Sequence, residues 1–440
     1  MEITQILKHL IYSYHISIPI ILGLFFFTTG YILIASEKID KTIVALLTAS
    51  FMVAFHLISS KQAFEYVDLN VLFTLIGMMI IAEVVGKTGL FEFVGAWIAK
   101  NTKGNPIAVM VLLFLFTGFI SMFLNNVTTA ILIVPVTLVI AQQLEIDPRP
   151  ILILEAIAGN IGGTATLIGD PPNLLIGTAT KFSFMDFIVN LGPPVLLVMV
   201  LISIGSAVIF RKKYKVSLKA KARIKNIDPK AAIKDKKFFY NALIILSLTI
   251  FLFIISGNIH EDISIISLLG AGFILLIDKE PVEETIKNIE WSTILFFSGL
   301  FIMVGTLEEL GVLKFLAEKI MNFSHNNLLL LSMTILWASA FISAIVDNIP
   351  LVAALIPMIK FIEASGAYGH NVDVLWWSLS IGACFGGMGT VVGASSNVLT
   401  VQIAKKNRFE ITFGQYTLYG MISLVASLIA VSIYIYLVYF

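Results

Sequence analysis

The feature that most constrains this chain is an internal repeat that covers nearly all of its 440 residues. FISMFLNNVTTAILIVPV (119–136) recurs 222 positions later as FISAIVDNIPLVAALIPM, and GGTATLIGDPPN (162–173) recurs 224 positions later as GGMGTVVGASSN (386–397). Upstream glycines match at the first offset: Gly77 with Gly299, and Gly89 with Gly311. A repeat of this length predicts one structural unit built twice. We expect the two copies at 16–212 and 238–437.

Apolar runs set the environment of these copies. Hydrophobic residues make up 58% of the chain and charged residues only 13%, whereas charged residues are about 25% of soluble domains. Several runs approach the ~20 residues that cross ~30 Å of hydrocarbon as a helix. We therefore predict an all-α polytopic membrane protein. The first run has no small-residue cleavage site and is followed by another apolar segment, so we expect it to be retained.

Each repeat reads as apolar helices interrupted at two places. In the first repeat two apolar arms meet at Asn125-Asn126, and these adjacent amides indicate a re-entrant hairpin; the matched turn of the second repeat is 347–348. If the hairpin returns to its own side, each repeat crosses five times, and an odd number of crossings makes the two copies inverted in topology. The segments expected in the first repeat are 16–35, 41–58, 70–86, the arms 104–124 and 127–143, a helix from 150 that breaks at 162–173, and 190–210.

A basic linker, 213–237, separates the copies. With its flank from Arg211 it holds twelve of the 29 Lys and Arg residues against two acids, Asp228 and Asp235. By the positive-inside rule this segment is cytoplasmic, which places both termini outside. We predict an integral protein of the plasma (inner) membrane and assign the linker no role beyond topology and attraction to anionic lipid.

The glycine motifs at 162–173 and 386–397 predict broken helices, which leave backbone N–H and C=O groups unpaired in the membrane. Each unpaired group is costly unless protein, ligand or a wet cavity satisfies it, so matching breaks in both copies predict a binding site. Oxygen ligands there suit a hard cation such as Na⁺, for which we assign Asn126 and Asn348, while half-helix N-termini suit an anion. The candidate binding residues are Asn125, Asn126, Thr128, Gly162, Gly163, Thr164, Thr166, Asp170, Asn173, Asp347, Asn348, Gly386, Gly387, Thr390, Ser395, Ser396 and Asn397.

The charges of this candidate site are unequal between the copies. Asp170 in the first motif is matched by Ala394 in the second, and Asp347 at the second turn is matched by Asn125 at the first. Neither motif nor turn contains Lys or Arg. Because acids inside a membrane are expensive and usually functional, we predict cation coupling, with Asp170, Asp347 and Glu155 as candidate proton carriers.

Other functional classes receive less support. A single cysteine, Cys384, excludes an internal disulfide and a cysteine metal cage. The chain has no GxxxxGK[ST] loop and no nucleophile–base pair, so we expect no ATP use by this chain, no enzyme activity and no cofactor besides Na⁺ or H⁺. A channel that uses the same site is the nearest alternative, and a unitary conductance would reveal it.

Four segments carry a family resemblance: NIGGTATLIGDPPN, FLNNVTTAILIVP, VDNIPLVAALIP and GACFGGMGTVVGASSNV. They resemble the ion-transporter superfamily of citrate-transporter-like permeases that contains the ArsB arsenite pumps and the NhaD sodium/proton antiporters, closest to its branch with the melanosomal P protein. The resemblance implies an elevator-type carrier, usually a homodimer in lipid, and no nucleic-acid partner.

The resemblance also bears on the substrate. Related dicarboxylate carriers have Ser-Asn-Thr at each hairpin tip, whereas this chain has Asn125-Asn126-Val127 and Asp347-Asn348-Ile349. The Asn is kept and its neighbours are not, which argues against a dicarboxylate. We expect a cation-coupled secondary transporter of a small inorganic ion, Na⁺/H⁺-linked. The alternatives are efflux of arsenite or another oxyanion or metalloid, and transport of chloride.

Overall fold

A computed structural model describes residues 18–36, 38–214, 216–324, 327–369 and 372–440. These residues form helices and no strand, which confirms the predicted all-α fold. The predicted start of the first helix at 16, and of the first repeat with it, lies outside the described residues. In chain order the helices are α1 Ile18–Ser36, α2 Lys41–Ala54, α3 Ser60–Glu65, α4 Leu69–Gly86, α5 Leu90–Asn101, α6 Pro106–Ser121, α7 Asn126–Leu144, α8 Arg149–Gly163, α9 Pro171–Thr180, α10 Phe184–Phe210, α11 Leu218–Lys225, α12 Lys236–Ile259, α13 Ile263–Ile277, α14 Val282–Lys287, α15 Trp291–Glu309, α16 Val312–Ser324, α17 Leu328–Ser343, α18 Asn348–Ala364, α19 Asp373–Gly386, α20 Ser395–Lys406 and α21 Phe413–Tyr439.

The helix boundaries repeat as the sequence does. Helices α3 to α7 begin 222 positions before α14 to α18, and α8 and α9 begin 224 positions before α19 and α20. Each copy also contains two short helices that the sequence reading did not count, α3 and α5 in the first and α14 and α16 in the second. Among the described helices, α1, α4, α7, α10, α12, α15 and α21 are long and apolar enough to cross a membrane. The number of crossings in each copy stays a prediction.

Two of the expected helix boundaries differ by more than three residues, each for a local reason. The last helix of the first copy begins at Phe184 and not at 190, because Ser183 and Asp186 form a capping box: the Ser183 N–H donates to Asp186 Oδ2 (2.7 Å) and the Asp186 N–H donates to Ser183 Oγ (3.2 Å). The expected helix 41–58 ends at Ala54, ahead of a second capping box at Ser59 that starts α3.

Both glycine motifs break their helices, as predicted. Gly162 and Gly163 still belong to the last turn of α8, so the chain is non-helical over 164–170, which we call the first break. The second break, 387–394, contains only a short 3₁₀ turn at Val391–Gly393. The outgoing half-helix α9 starts with two prolines, whose missing N–H groups are tolerated in a first turn. The first tip, 122–126, and the second tip, 344–348, join the arms of the two hairpins, and each includes the first residue of the second arm.

Close packing groups the chain into two compact units, and each draws on both repeats. The first unit contains the described residues up to Leu69 together with Glu290–Leu328 and Ala353–Val372. Inside it α15 lies against α2: a Cβ on Gly299 would stand 2.8 Å from the carbonyl carbon of Ala45, so only glycine fits at this approach. The units do not coincide with the repeats, and the repeat boundaries 16–212 and 238–437 stay a prediction.

The second unit contains Asn70–Ile289, Leu329–Val352 and Asp373–Phe440. Here α4 approaches α13 in the same way, because a Cβ on Gly77 would stand 2.7 Å from the carbonyl carbon of Ser267. Ser267 is the repeat-matched position of Ala45. In the first unit the glycine helix comes from the second repeat and its partner helix from the first, and in the second unit the origins are exchanged.

The described residues of the basic linker belong to the second unit and pack within it. Its helix α11 packs on α7, and Arg223 forms an ion pair with Glu145 at the C-terminal end of α7. Tyr214 donates its hydroxyl proton to the carbonyl of Asp147 (3.0 Å). Gly89, with a left-handed φ of 83°, passes so close to the Ala232 carbonyl that no side chain fits there.

Candidate functional site

All predicted binding residues lie in the second unit. In each repeat a serine at the end of the first hairpin arm fixes the hairpin to the broken helix. Ser121 Oγ donates to the Gly159 carbonyl (2.9 Å), and Ser343 Oγ donates to the Ala383 carbonyl (2.6 Å). These pairs occupy matched positions, so the attachment of hairpin to broken helix is the same in both copies.

A threonine in each break makes a second attachment. Thr166 donates its hydroxyl proton to the Met122 carbonyl at the first tip, and Thr390 donates to the Ala344 carbonyl at the second (2.5 Å). The hydroxyls of Thr166 and Thr390 therefore satisfy carbonyls that the hairpin turns leave unpaired. The lone pairs of these hydroxyl oxygens can still accept a hydrogen bond. Thr164 instead donates to the Asn160 carbonyl of its own helix (2.8 Å).

The asparagines that end the two motifs hold the breaks in shape. Asn173 Nδ2 donates to the carbonyls of Thr164 (2.9 Å) and Thr166 (2.8 Å) across the first break. Asn397 Nδ2 donates across the second break to the carbonyls of Gly387 (2.7 Å) and Thr390 (3.0 Å). A buried amide thus replaces the helical N–H groups that the breaks remove.

The oxygens of the same two asparagines join the repeats. Asn397 Oδ1 accepts a hydrogen bond from Asn160 on α8 (3.0 Å). Asn173 Oδ1 accepts from Ser380 on α19 (2.5 Å) and contacts Cys384 Sγ (3.7 Å). Asn160 and Cys384 are repeat-matched, so each incoming half-helix binds the outgoing half-helix of the other copy. Asn160 Oδ1 is buried and has no hydrogen-bond partner among the described residues.

Asp170 lies where these elements converge. It is 3% exposed, and its Oδ2 accepts a hydrogen bond from Asn348 Nδ2 (3.2 Å). Asn126 and Cys384 are its other polar neighbours, and Asp347 is close enough to interact with it electrostatically. The structure therefore brings four predicted residues from both tips and one break into one cluster.

Glycines make room for this cluster. A Cβ on Gly163 would stand 2.6 Å from Asn126 Oδ1, and one on Gly387 would stand 2.6 Å from Asn160 Oδ1. Gly162 and Gly386 face elsewhere, against the backbones of Gly118 and Ala340, and allow the hairpin arm to approach the broken helix. These two predicted residues act in packing.

The second acid occupies a more open position. Asp347 is half-buried; its Oδ1 accepts the N–H of Ile349 (3.2 Å), and its Oδ2 accepts the hydroxyl of exposed Ser395 (3.4 Å). Its repeat partner Asn125 caps α7 by accepting the N–H of Thr128 (2.8 Å). The residues at both tips are therefore helix caps, in addition to any role in binding.

Two small cavities adjoin the first tip. One has a volume of about 10 Å³, enough for the centre of one water-sized particle. Asn125 and Thr128 line it beside apolar side chains of α4. The other, of the same size, is lined by Asn126, Ser396 and Glu155. Glu155 is buried, and its Oε1 accepts a hydrogen bond from Thr137 Oγ1 (2.5 Å).

Several residues of the site were not predicted from the sequence, namely Ser121, Ser343, Asn160, Ser380 and Cys384. The two serines occupy matched positions inside the repeated segment, so the repeat itself contained the signal. Asn160 and Cys384 differ in type, and their matched positions alone did not reveal them.

Comparisons with known proteins agree with this architecture. A sequence model of the citrate transporter family matches residues 31–382. The 46 kDa membrane protein of Mycobacterium leprae is 38% identical over 417 residues, covering 94% of this chain and 97% of that protein. The human P protein is 27% identical over 479 residues, covering 90% of this chain and 57% of that protein.

A solved structure shares the fold. The YdaH transporter of Alcanivorax borkumensis, described as having an unusual topology, superposes with a TM-score of 0.63 at 12% identity, covering 96% of this chain and 99% of that one. At this identity the likeness concerns the fold alone. The family match and the M. leprae relative reach further, and from them we conclude that this chain is an integral membrane protein of the citrate transporter family.

Proposed function

We propose that this chain is a cation-coupled secondary transporter that moves a small inorganic ion, with Na⁺ and H⁺ as the linked cations. The observation that carries the proposal is the hydrogen bond from Asn348 to Asp170, because it places a buried carboxylate where the tip of one repeat meets the break of the other. Binding sites of transporters built from two repeats lie at such meeting points of broken helices.

The charge of the cluster favours a cation. In the part of the chain that the structure describes, no Lys, Arg or His forms an ion pair with Asp170; its polar neighbours are Asn126, Asn348 and Cys384. A buried carboxylate without a positive partner is stable when it binds a proton or a metal cation. One carboxylate cannot hold both at once, so Na⁺ binding and protonation exclude each other, and this competition would couple the two ions.

The same charges argue against a tricarboxylate substrate, although the family takes its name from citrate. Such an anion would meet the carboxylates of Asp170 and Asp347, and neither tip nor break contains a Lys or Arg to offset them. The adjoining cavities, of about 10 Å³ each, also favour an ion over a larger organic molecule.

We further propose an elevator-type mechanism in which the elements that carry both tips and both breaks move together. Their mutual bonding supports this: Asn160–Asn397, Ser380–Asn173 and Asn348–Asp170 join the two repeats side chain to side chain. The linker would face the cytoplasm of a plasma membrane, as its positive charge suggests.

Flux through reconstituted protein tests the proposal. Proteoliposomes are given imposed Na⁺ or pH gradients, and uptake of ²²Na⁺, ³⁶Cl⁻ and arsenite is measured in parallel. We expect Na⁺ flux driven by a pH gradient, its loss in Asp170→Asn, and its retention in the exposed control Glu92→Gln. Flux of chloride or arsenite that is indifferent to both gradients, or a unitary conductance in planar bilayers, would overturn the proposal.

A further inference from the structure

The cavity beside Glu155 differs in chemistry from its apolar surroundings. It lies among α6, α7, α8 and α20, and oxygen-bearing side chains line it from all four helices: Thr117, Asn126, Thr129, Glu155, Ser396 and Thr400. Its volume of about 10 Å³ leaves room for one water-sized particle. Six of the eleven residues that line it thus carry a side-chain oxygen, the kind of ligand that a cation site requires.

Two of these side chains present atoms with nothing to bind. Glu155 and Ser396 are 2% and 3% exposed, and Glu155 Oε2 and Ser396 Oγ have no hydrogen-bond partner among the described residues. The other carboxylate oxygen, Oε1, is held by Thr137. Buried polar atoms are nearly always paired, so two unpaired atoms on residues that line the same cavity point to a partner that occupies it.

The fold by itself does not require these polar residues. Thr117 and Asn126 have polar matches, Ser339 and Asn348, but at five other repeat-matched positions the chain has buried apolar side chains. The matched pairs are Thr129 with Leu351, Thr137 with Ile359, Glu155 with Leu379, Ser396 with Pro172, and Thr400 with Ile176. A structural role shared by both copies would place similar residues in both, so these polar residues from the two repeats serve something that the repeat-matched positions lack.

We propose that this cavity is a monovalent-cation site, in which Na⁺ binds the Glu155 carboxylate and the Ser396 hydroxyl, with further oxygens from Asn126, Thr129 and Thr400. Carboxylate, hydroxyl and amide oxygens are the ligands of hard cations. A single positive charge balances Glu155, the only titratable residue among those that line the cavity. The site is separate from Asp170 and goes beyond the proposed transport function.

Asn126 belongs both to the Asp170 cluster and to the lining of the Glu155 cavity. Its Oδ1 lies 2.5 Å from Ser121 Oγ and beside Gly163 at the Asp170 cluster, while its side chain also lines the Glu155 cavity. A cation beside Glu155 would therefore help to fix the orientation of the amide that the Asp170 cluster uses. Occupancy of the cavity would change Na⁺ affinity at the cluster through this amide.

Equilibrium binding tests the proposal without transport. Purified protein in nanodiscs is titrated with ²²Na⁺ in a scintillation proximity assay, with choline to hold ionic strength, and its thermal midpoint is recorded in NaCl and in choline chloride. We expect Glu155→Gln and Ser396→Ala each to weaken one class of Na⁺ sites by about tenfold or more and to reduce the Na⁺-dependent thermal shift. Glu92→Gln should match the wild type.

Further variants separate this site from the proposed transport site. Asp170→Asn should keep the class of Na⁺ binding that depends on Glu155, even if its transport is lost. Thr400→Val serves as a second probe if Glu155→Gln does not fold, and it should weaken the same class. Wild-type Na⁺ binding in both Ser396→Ala and Thr400→Val, or loss of all Na⁺ binding in Asp170→Asn, would overturn the separate site.

Discussion

Asn348 Nδ2 donates a hydrogen bond to Asp170 Oδ2 over 3.2 Å, and this bond joins the second tip to the first break. The repeat cannot form it twice, because the residue matched to Asp170 is Ala394. Asp170 is therefore a buried acid without a counterpart in the other repeat, while the second acid, Asp347, is half-buried beside Ser395.

The acids should control the pH dependence of transport. Asp170→Asn and Asp347→Asn remove a titratable group while nearly keeping its shape. We expect at least one of them to flatten the dependence of Na⁺ flux on pH, with residual Na⁺ binding. Flux is measured in proteoliposomes from pH 5.5 to 8.5, a range of roughly 3 units around neutrality. Wild-type pH profiles in both variants would exclude these acids as proton carriers and shift attention to Glu155.

The tip amides should set Na⁺ affinity. Asn126→Ala and Asn348→Ala each remove one polar contact of the Asp170 cluster. We expect an apparent Na⁺ affinity about tenfold lower in each, because a hydrogen bond to a charged group is worth about 1.5 to 3 kcal/mol. Expression and thermal midpoint should stay near the wild type. Asn407→Ala, at an exposed helix end, is the control, and unchanged Na⁺ dependence in both tip variants would remove the amides from the site.

The break glycines should not tolerate a methyl group. Gly163→Ala places a Cβ 2.6 Å from Asn126 Oδ1, and Gly387→Ala places one 2.6 Å from Asn160 Oδ1. We expect both to displace these amides and lower the transport rate. Gly205→Ala in α10 is the matched control, because its Cβ would meet no atom within 4 Å, and alanine favours a helix by about 1 kcal/mol. Full activity of the Gly163 and Gly387 variants would show that the amides are not tightly positioned.

Site-directed labelling checks the orientation of the chain. A cysteine at Lys219, exposed on α11, should react with membrane-impermeant maleimide only from the cytoplasmic side, and a cysteine at Phe440 only from outside. Native Cys384 is buried and should add little background. Reaction of both positions from the same face would contradict the inverted arrangement of the repeats.

An ion pair at the end of α4 should contribute to stability in a pH-dependent way. Lys87 Nζ lies 3.1 Å from Asp278 and 2.8 Å from Glu280. Burial opposes ionisation of Asp278, but hydrogen bonds from Thr285 and Lys87 outweigh it and hold the pKa of Asp278 below its ordinary value. Burial likewise opposes the charged form of Lys87, but hydrogen bonds to Glu280 and Asp278 outweigh it and hold the pKa of Lys87 above its ordinary value.

The signs of these shifts define the test. Because the pKa of Asp278 is lowered by folding, ionised Asp278 stabilises the fold at pH values above its unfolded-state pKa. This stabilisation is lost as the pH falls through the folded-state pKa of Asp278. The pKa of Lys87 is raised by folding, so the stabilisation by charged Lys87 is lost as the pH rises through its folded-state pKa. At neutral pH, Lys87→Met should lower the free energy of unfolding by about 2 kcal/mol. The difference in thermal midpoint from the wild type should narrow in acid. Lys61→Met, at an exposed pair, is the control, and an equal effect there would refute the assignment.

The backbone of the site could be predicted from the sequence because residues that interrupt helices are easy to recognise within apolar segments. Pro171, the glycines and the paired amides stand out in segments that would otherwise continue as helix, and the glycines and asparagines recur in both copies. Both breaks and both tips were therefore found within a few residues. The first break starts two residues later than predicted because Gly162 and Gly163 still belong to the last turn of α8.

The contacts between side chains could not be predicted in the same way. Asn160 and Asn397 are 237 positions apart, and Ser380 and Asn173 are 207 apart. A single polar residue in an apolar helix carries no information about which distant residue it meets. Glu155 was singled out as an acid in the membrane, but its cavity depends on Ser396 and Thr400, which reach it from the other repeat.

The close approach of Gly77 to Ser267 has a consequence for how the protein is made. The two residues are separated by 190 positions, so α4 leaves the ribosome long before α13 exists. Throughout that interval Gly77 lacks its partner Ser267, so α4 cannot yet pack against α13. Chains emerge from their N terminus at about 5 to 20 residues per second, so the second unit cannot close until roughly ten seconds or more after α4 is synthesised.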